Sequence, residues 1–165
     1  MGDISYTDER AQKMLFPDEP MGEEKYILYA DLSDMDIETS DFKSLDGKRV
    51  GVLLGTEPEI MLTEWENKNG IHTEHVNVNN DDDVEKKLAN HEIDCFVSLE
   101  ESIWSEQGIS SVTTIGKSGI YFAINKERSD IKTELDYAMR QLEQDSPFFK
   151  ADLYKKYFTL DYIQL

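Results

Sequence analysis

The sequence predicts an α/β protein built on a parallel sheet, and three observations predict it. Short apolar runs recur at Lys48–Leu54, Thr73–Val78, Ile93–Val97 and Val112–Ile115. Between them stand stretches that carry helix signals, so strand and helix alternate, which is the pattern of βαβ units. The chain has 165 residues, enough for one domain or two small lobes with a core that folds without staples.

In order, Asp3-Ile4-Ser5-Tyr6 reads as the end of a strand, and Thr7 with Arg10 opens a short helical turn. Lys25–Ala30 alternates toward strand, and Asp31–Asp41 is an acidic loop rich in Ser and Asp. Lys48–Leu54 follows the Asp46-Gly47 turn signal as a strand buried on both faces. Thr56 and Glu59 then have the T-x-x-E spacing of a capping box, with Pro58 in the first turn, where its missing N–H costs nothing. That helix ends near Gly70. Thr73–Val78 is the next strand, and Asp82 with Glu85 starts a helix whose Val84 and Leu88 share a face. Ile93–Val97 is a strand, Glu100–Gln107 a short helical stretch, and Val112–Ile115 and Gly119–Ile124 are two further strands. Ser129 caps a long helix with Ile131, Leu135, Met139 and Leu142 along one stripe, stopped by Pro147. A last helical segment, 148–158, carries Phe148, Leu153, Tyr154 and Tyr157. Val50, Val52, Leu53, Cys95, Phe96 and Val97 are the expected central core.

The formal charge of −18, from 35 acidic against 17 basic residues, sets up a field that repels phosphate backbones and anionic membrane surfaces, so nucleic acid is not an expected partner. No stretch approaches the ~20 apolar residues of a membrane span. The one cysteine, Cys95, excludes an internal disulfide and sits inside an apolar run, as a small core hydrophobe does. No cofactor is called for. His72, His75 and His91 invite a metal reading, but strand residues three apart point to opposite faces and cannot chelate together. The Asn77–Asp83 run lacks the glycine and the closing glutamate of a calcium loop and reads as a turn and helix start. Glu100 and Glu101 could form a general acid and base, yet no His or Lys completes a mechanism, and no enzyme is expected.

Two places suit a bound anion. Gly55 turns the backbone tightly and leaves no side chain over the helix N-terminus, where backbone N–H groups and the helix dipole can hold a carboxylate. Glu57 and Glu59 already answer that dipole, which favours a neutral or zwitterionic ligand over phosphate. A single G-T before a helix is also plain βα punctuation, and both readings stay open. Arg10, in the first turn after a strand with Ser5 and Thr7 beside it, can offer a planar two-pronged donor to a carboxylate. The competing reading is a surface ion pair with Asp8 or Glu9.

At Ile4-Ser5-Tyr6-Thr7-Asp8-Glu9-Arg10, followed by Phe16, the sequence resembles the family 3 extracellular solute-binding proteins, whose pattern there is a strand, T-x-E-R and a phenylalanine. The likeness runs on through Leu45–Val52 and Gly55-Thr56, similar to the family's L-x-G-K-x-V-x-V-x-x-G-T, then Glu92–Cys95 and the ending Leu153–Phe158. It implies a type II periplasmic-binding-protein fold, with two α/β lobes joined by crossing strands and a small ligand, often an amino acid, held in the cleft. Residues 25–118 would be a complete lobe two, and 1–24 with 119–165 a partial lobe one whose beginning lies outside this chain. Arg10 would be the carboxylate-binding arginine, Ser5 a first-lobe donor, and Gly55 with Thr56 the second-lobe contact. Leu53 and Leu54 stand where amino-acid binders usually carry a polar residue, and Ser98-Leu99 where an aspartate usually takes the ligand's ammonium. Glu100, one place later, is the substitute.

Phe16–Glu24 and Phe122–Lys126 resemble the versions of this domain fused to membrane-bound sensors such as diguanylate cyclases or histidine kinases. The resemblance therefore implies an extracellular or periplasmic sensory domain for a small solute, amino-acid-like or another carboxylate, with any membrane link made through a fused segment. The alternative is the solute receptor of an ABC-type amino-acid transporter. Two further readings are an enzyme, because some relatives of the fold are dehydratases, and a spacer whose pocket has decayed. An incomplete lobe one would leave apolar faces uncovered, so a homodimer through that lobe is expected.

Overall fold

The computed structural model describes residues 2, 4–31, 37–100 and 103–158. The expectations at Asp3, at Glu101, at positions 32–36 of the acidic loop and for the side chains of Tyr154 and Tyr157 lie outside them. The chain divides into two compact units, Met1–Glu24 with Ser118–Leu165 and Lys25–Lys117.

The second unit is a sheet with helices on both faces. β4 (Arg49–Val52), β5 (Glu74–Asn77) and β6 (Cys95–Leu99) are parallel, β4 lying between the other two. That is what βα alternation requires of strands joined by α2 (Glu57–Asn69) and α3 (Asp81–Ala89). The sheet as a whole is mixed, because β3 (Gly22–Ala30) runs antiparallel to β6, pairing Tyr26 with Leu99 and Ala30 with Cys95. β7 (Ser110–Tyr121) lies on the other side of β3. It is one twelve-residue strand where two were expected. The Gly116-Lys117-Ser118 stretch reads as a break in the sequence, but a neighbouring strand keeps it extended.

Strand period two sorts the core into two layers. Leu28, Ala30, Val50, Val52, Cys95 and Val97 pack with Leu45, Leu62 and Trp65 on one face. Ile27, Tyr29 and Phe96 pack with Val78, Val84, Ile93 and Trp104 on the other. Trp104 belongs to the short α4 (Ile103–Glu106). Phe96 stacks on Tyr29 at 5.5 Å and meets the Trp104 ring edge-on at 4.6 Å. Gly51 shows why the strand reads V-G-V: a Cβ there would stand 2.8 Å from Ile93 Cδ1 and 3.0 Å from Val78 Cγ1. Leu53 departs from the expected core. It lies past the end of β4 and is 44% exposed, with Leu54 at 42%.

Cys95 is fully buried, and burial pushes its thiol up to about 12. Since the thiolate is the reactive form, labelling of the native protein by a thiol reagent at pH 8 should be slower than labelling in urea by orders of magnitude. Equal rates would mean that β6 is not a core strand.

A charged clamp ties β4 to β6. Arg49 donates through Nε and Nη2 to the Asp94 carboxylate at 3.0 and 2.6 Å, and its backbone N–H donates to the same group at 2.8 Å. Arg49's hydrogen bonds, chiefly those of the side chain, hold the Asp94 carboxyl below the usual carboxylate range. A carboxyl lowered on folding stabilises above its unfolded pKa of about 3.9, and that contribution is lost as pH falls through the folded-state value. Asp94→Asn should therefore cost about 2 kcal/mol at pH 7. In urea titrations the gap between variant and parent should close as the pH is lowered through that range. A gap that persists in acid would contradict this assignment.

In the first unit β1 (Ile4–Ser5) pairs antiparallel with the end of β7, and β2 (Met14–Leu15) pairs with β8 (Ile124–Asn125). Tyr6, Phe16 and Tyr121 cluster with ring centroids 5.2 to 6.4 Å apart. α1 (Asp8–Lys13), α5 (Ser129–Asp145) and α6 (Phe149–Phe158) complete it. Arg128, not Ser129, stands at the N-cap of α5, with its guanidinium drawn to Asp130 at 2.7 Å. The α5 stripe differs from expectation as well. Ile131 and Leu142 are exposed, while Asp136 is buried, accepting from Lys132 and from the Asp18 N–H. Phe148 and Leu153 are also exposed. No helix among the described residues is long and apolar enough to cross a membrane.

Candidate functional site

In open parallel sheets ligands gather beyond the carboxyl ends of the strands. In the second unit that edge is formed by the residues after Val52, Asn77 and Leu99, because Val52 is level with Asn77 and Gly51 with Phe96. It carries Gly55 and Thr56, whose loop is tied to Asn77 through the Leu54 N–H, and Glu100 follows β6 on the same edge. Gly55 has φ +76°, the left-handed region, and a Cβ there would meet nothing within 4 Å. The loop approaches as open backbone, as its glycine predicts.

The helix start is held differently from a capping box. Thr56 is the N-cap, but its hydroxyl donates to the Leu53 carbonyl and caps no N–H. Glu59 accepts the N–H of Gly55 at 2.6 Å, one residue earlier than the T-x-x-E pattern expects. The left-handed turn at Gly55 is what presents that amide to the first helical turn. The Gly55 N–H, and to a lesser extent His75, hold the Glu59 carboxyl below its usual range. Asn77 Oδ1 accepts the Leu54 N–H at 3.2 Å and braces the loop from β5. One amide of the supposed anion site is thus already committed to a resident carboxylate.

Glu100 sits at the end of β6, where its carboxylate meets Lys25 Nζ at 2.9 Å and its N–H donates to the Lys25 carbonyl. A solute's ammonium would have to share this acid with Lys25.

In the first unit, Thr7 caps α1 by accepting the Arg10 N–H at 3.2 Å. Arg10 Nη1 donates to the Ser5 carbonyl at 2.8 Å, which brings these two residues together. The ion pair weighed as an alternative is not formed. Glu9 is taken by Lys13 at 2.8 Å, and among the described residues no carboxylate pairs with the Arg10 guanidinium. In a chain with twice as many acids as bases, an exposed arginine oriented by a carbonyl and left without an acid is available for an incoming carboxylate.

Of the three histidines, His72 is exposed and donates its backbone N–H to Asp46, and His91 lies just past α3 with φ +55°. His75 had no assigned role from the sequence. Its ring stands between Glu59 and Glu66 of α2, with Nδ1 3.5 Å from Glu59 Oε1 and Nε2 3.2 Å from Glu66 Oε1. The readable signal was the seven-residue spacing of Glu59 and Glu66, which places both on one helix face beside a strand histidine. The Asn77–Asp83 run is a turn into α3: Asn80 accepts the Asp83 N–H, and Asp83 accepts from Asn79 and Lys87.

The chain is 27% identical over 177 residues to the histidine-binding periplasmic protein of Escherichia coli K12, an alignment covering 98% of this chain. It spans 64% of the length of the curated relatives it matches. A probable amino-acid ABC transporter extracellular-binding protein from Bacillus subtilis superposes with TM-score 0.77 at 18% identity, covering 97% of this chain and 70% of that one. An ancestral amino-acid-binding protein described as a precursor of cyclohexadienyl dehydratase superposes with TM-score 0.67 at 20% identity, covering 95% and 67%. These superpositions establish the type II periplasmic-binding-protein fold. The model of the family described as NMT1/THI5 like matches residues 28–125, more than half of the sequence, and the chain belongs to that family.

Proposed function

We propose that the protein is a non-catalytic receptor for a small amino-acid-class solute on the extracellular or periplasmic side of a membrane, of the kind that serves an ABC-type transporter. The observation that carries this is Arg10, aligned by the Ser5 carbonyl and unpaired with any acid among the described residues. It supplies a charge-assisted donor for the solute's carboxylate. In the second unit the loop at Gly55 and Thr56 stands at the carboxyl edge of the parallel strands, where Glu59 holds the Gly55 N–H and balances the helix dipole, and such an edge suits a zwitterion better than a dianion. The named histidine-binding relative supports the ligand class.

The sensory-domain reading rests on Phe16–Glu24 and Phe122–Lys126, and the named relatives favour the transport reading over it. Self-association through the exposed Leu142, Phe148 and Leu153 belongs to the same proposal and is read by light scattering. It should tighten as salt screens the repulsion between copies.

The test is calorimetric titration of the full chain with a panel of free amino acids. At least one should bind with a dissociation constant in the micromolar range or below. Absence of binding across the panel would overturn the receptor reading.

A further inference from the structure

The loop that carries Gly55 and Thr56 is tied to the interior of the second unit by a continuous polar chain. Glu59 Oε2 holds the Gly55 N–H at 2.6 Å, and Glu59 Oε1 faces His75 Nδ1 at 3.5 Å. On the ring's other side His75 Nε2 lies 3.2 and 3.3 Å from the two oxygens of Glu66. Glu66 is only 4% exposed, and it also accepts the Thr73 N–H at 3.1 Å and the Thr73 hydroxyl. The chain therefore starts at a buried carboxylate fixed by two donors from the segment before β5. It runs through a half-buried imidazole and ends on a loop amide.

The donors and acceptors impose a direction. Glu66 spends acceptor capacity on Thr73, and Glu59 spends it on Gly55, so both are acceptors toward the ring. The His75 ring thus meets an acid at each nitrogen, Nδ1 toward Glu59 and Nε2 toward Glu66. His75 is then a strut between the two acids, and it limits where Glu59 can stand. Without it, Glu59 would keep its bond to Gly55 only by its own rotamer preference, with the entropy of a long side chain working against it.

We propose that His75, backed by Glu66, is a positioning residue that holds Glu59 against the Gly55 amide and so sets the loop Leu53–Thr56 in its solute-receiving conformation. This rests on the receptor reading above, and it assigns the setting of the loop to side chains that do not touch the solute. Rigidity of this kind raises affinity by lowering the ordering cost of binding.

The experiment uses the full chain labelled with ¹⁵N and follows the Gly55 amide proton, which a short bond to a carboxylate should place far downfield. Glu59→Ala and His75→Leu should both move it upfield, although His75 does not touch Gly55. Removing the ring leaves the buried Glu66 carboxyl without its imidazole partner. His75→Leu is therefore paired with the double variant His75→Leu/Glu66→Gln, which keeps an acceptor for Thr73 without the charge and should give the same Gly55 shift. Binding of the tightest amino acid from the panel should weaken roughly five- to tenfold in each variant, the scale of one lost hydrogen bond. A Gly55 resonance that responds to Glu59→Ala but to neither His75 variant overturns the proposal, as does a moved resonance with unchanged affinity. If no panel amino acid binds the parent, the receptor reading falls, and the amide shifts still decide whether the network positions the loop.

Discussion

Phe96→Ala should lower the unfolding free energy of the second unit by about 3–5 kcal/mol, the range for truncating a large buried aromatic. Phe96 has no exposed surface, and it stacks on Tyr29 and meets Trp104 edge-on. Deleting it removes transfer energy and leaves a cavity between β6 and α4 that two rigid rings cannot fill. Both tryptophans of the chain, Trp65 and Trp104, lie in this unit. Their fluorescence in a urea titration therefore reports its unfolding without interference from the first unit. A loss below 1 kcal/mol would show that the stack closes over the gap and that Phe96 is not central to the layer.

The second large effect is on binding. Arg10→Ala should weaken the tightest amino acid of the panel by about 2 kcal/mol or more, roughly thirtyfold, as expected for a lost charge-assisted hydrogen bond in a partly desolvated site. Arg10→Lys should fall between the two, since an ammonium keeps the charge and loses the planar pair of donors. Thermal stability should change little, because the side chain is exposed and its one bond is to a carbonyl already within reach of water. Unchanged affinity by calorimetry would remove Arg10 from the site.

The second unit was largely legible because its signals are local. Gly47 and Gly70 bracket a strand and a helix, Pro58 marks a first turn, and the strands of the alternating segment are short apolar runs. What escaped depends on contacts that sequence spacing does not encode. The T-x-x-E pattern predicted the right helix start but the wrong bonds, because Gly55 adopts a left-handed turn and offers its own amide to Glu59. The break expected within β7 fails for a similar reason: pairing with a neighbouring strand overrides local preference. Leu53 reads as core by hydrophobicity alone, yet the strand ends one residue before it. Asp136 looks like a solvated helix face until Asp18, 118 residues away, donates its N–H to it. For His75 the spacing of Glu59 and Glu66 was readable, but which strand residue meets that helix face appears only on folding. For the site, the candidate residues could be named from the sequence. The acids already occupying Gly55 and Lys25 could not.

The tight fit around Gly51 means that positions 51, 78 and 93 share one small volume, so their substitutions cannot have independent effects. A methyl at 51 should be costly against the parent Ile93, which stands 2.8 Å from where that carbon would go. Against Ile93→Val, which withdraws the offending Cδ1, the same methyl should cost far less. The double variant should then be more stable than the sum of the two single losses allows, with a coupling on the order of 1 kcal/mol. In any set of related chains, a larger residue at the middle of this strand should be accompanied by a shorter one at the position of Ile93 or Val78. The three would drift together as a covarying triplet rather than one at a time.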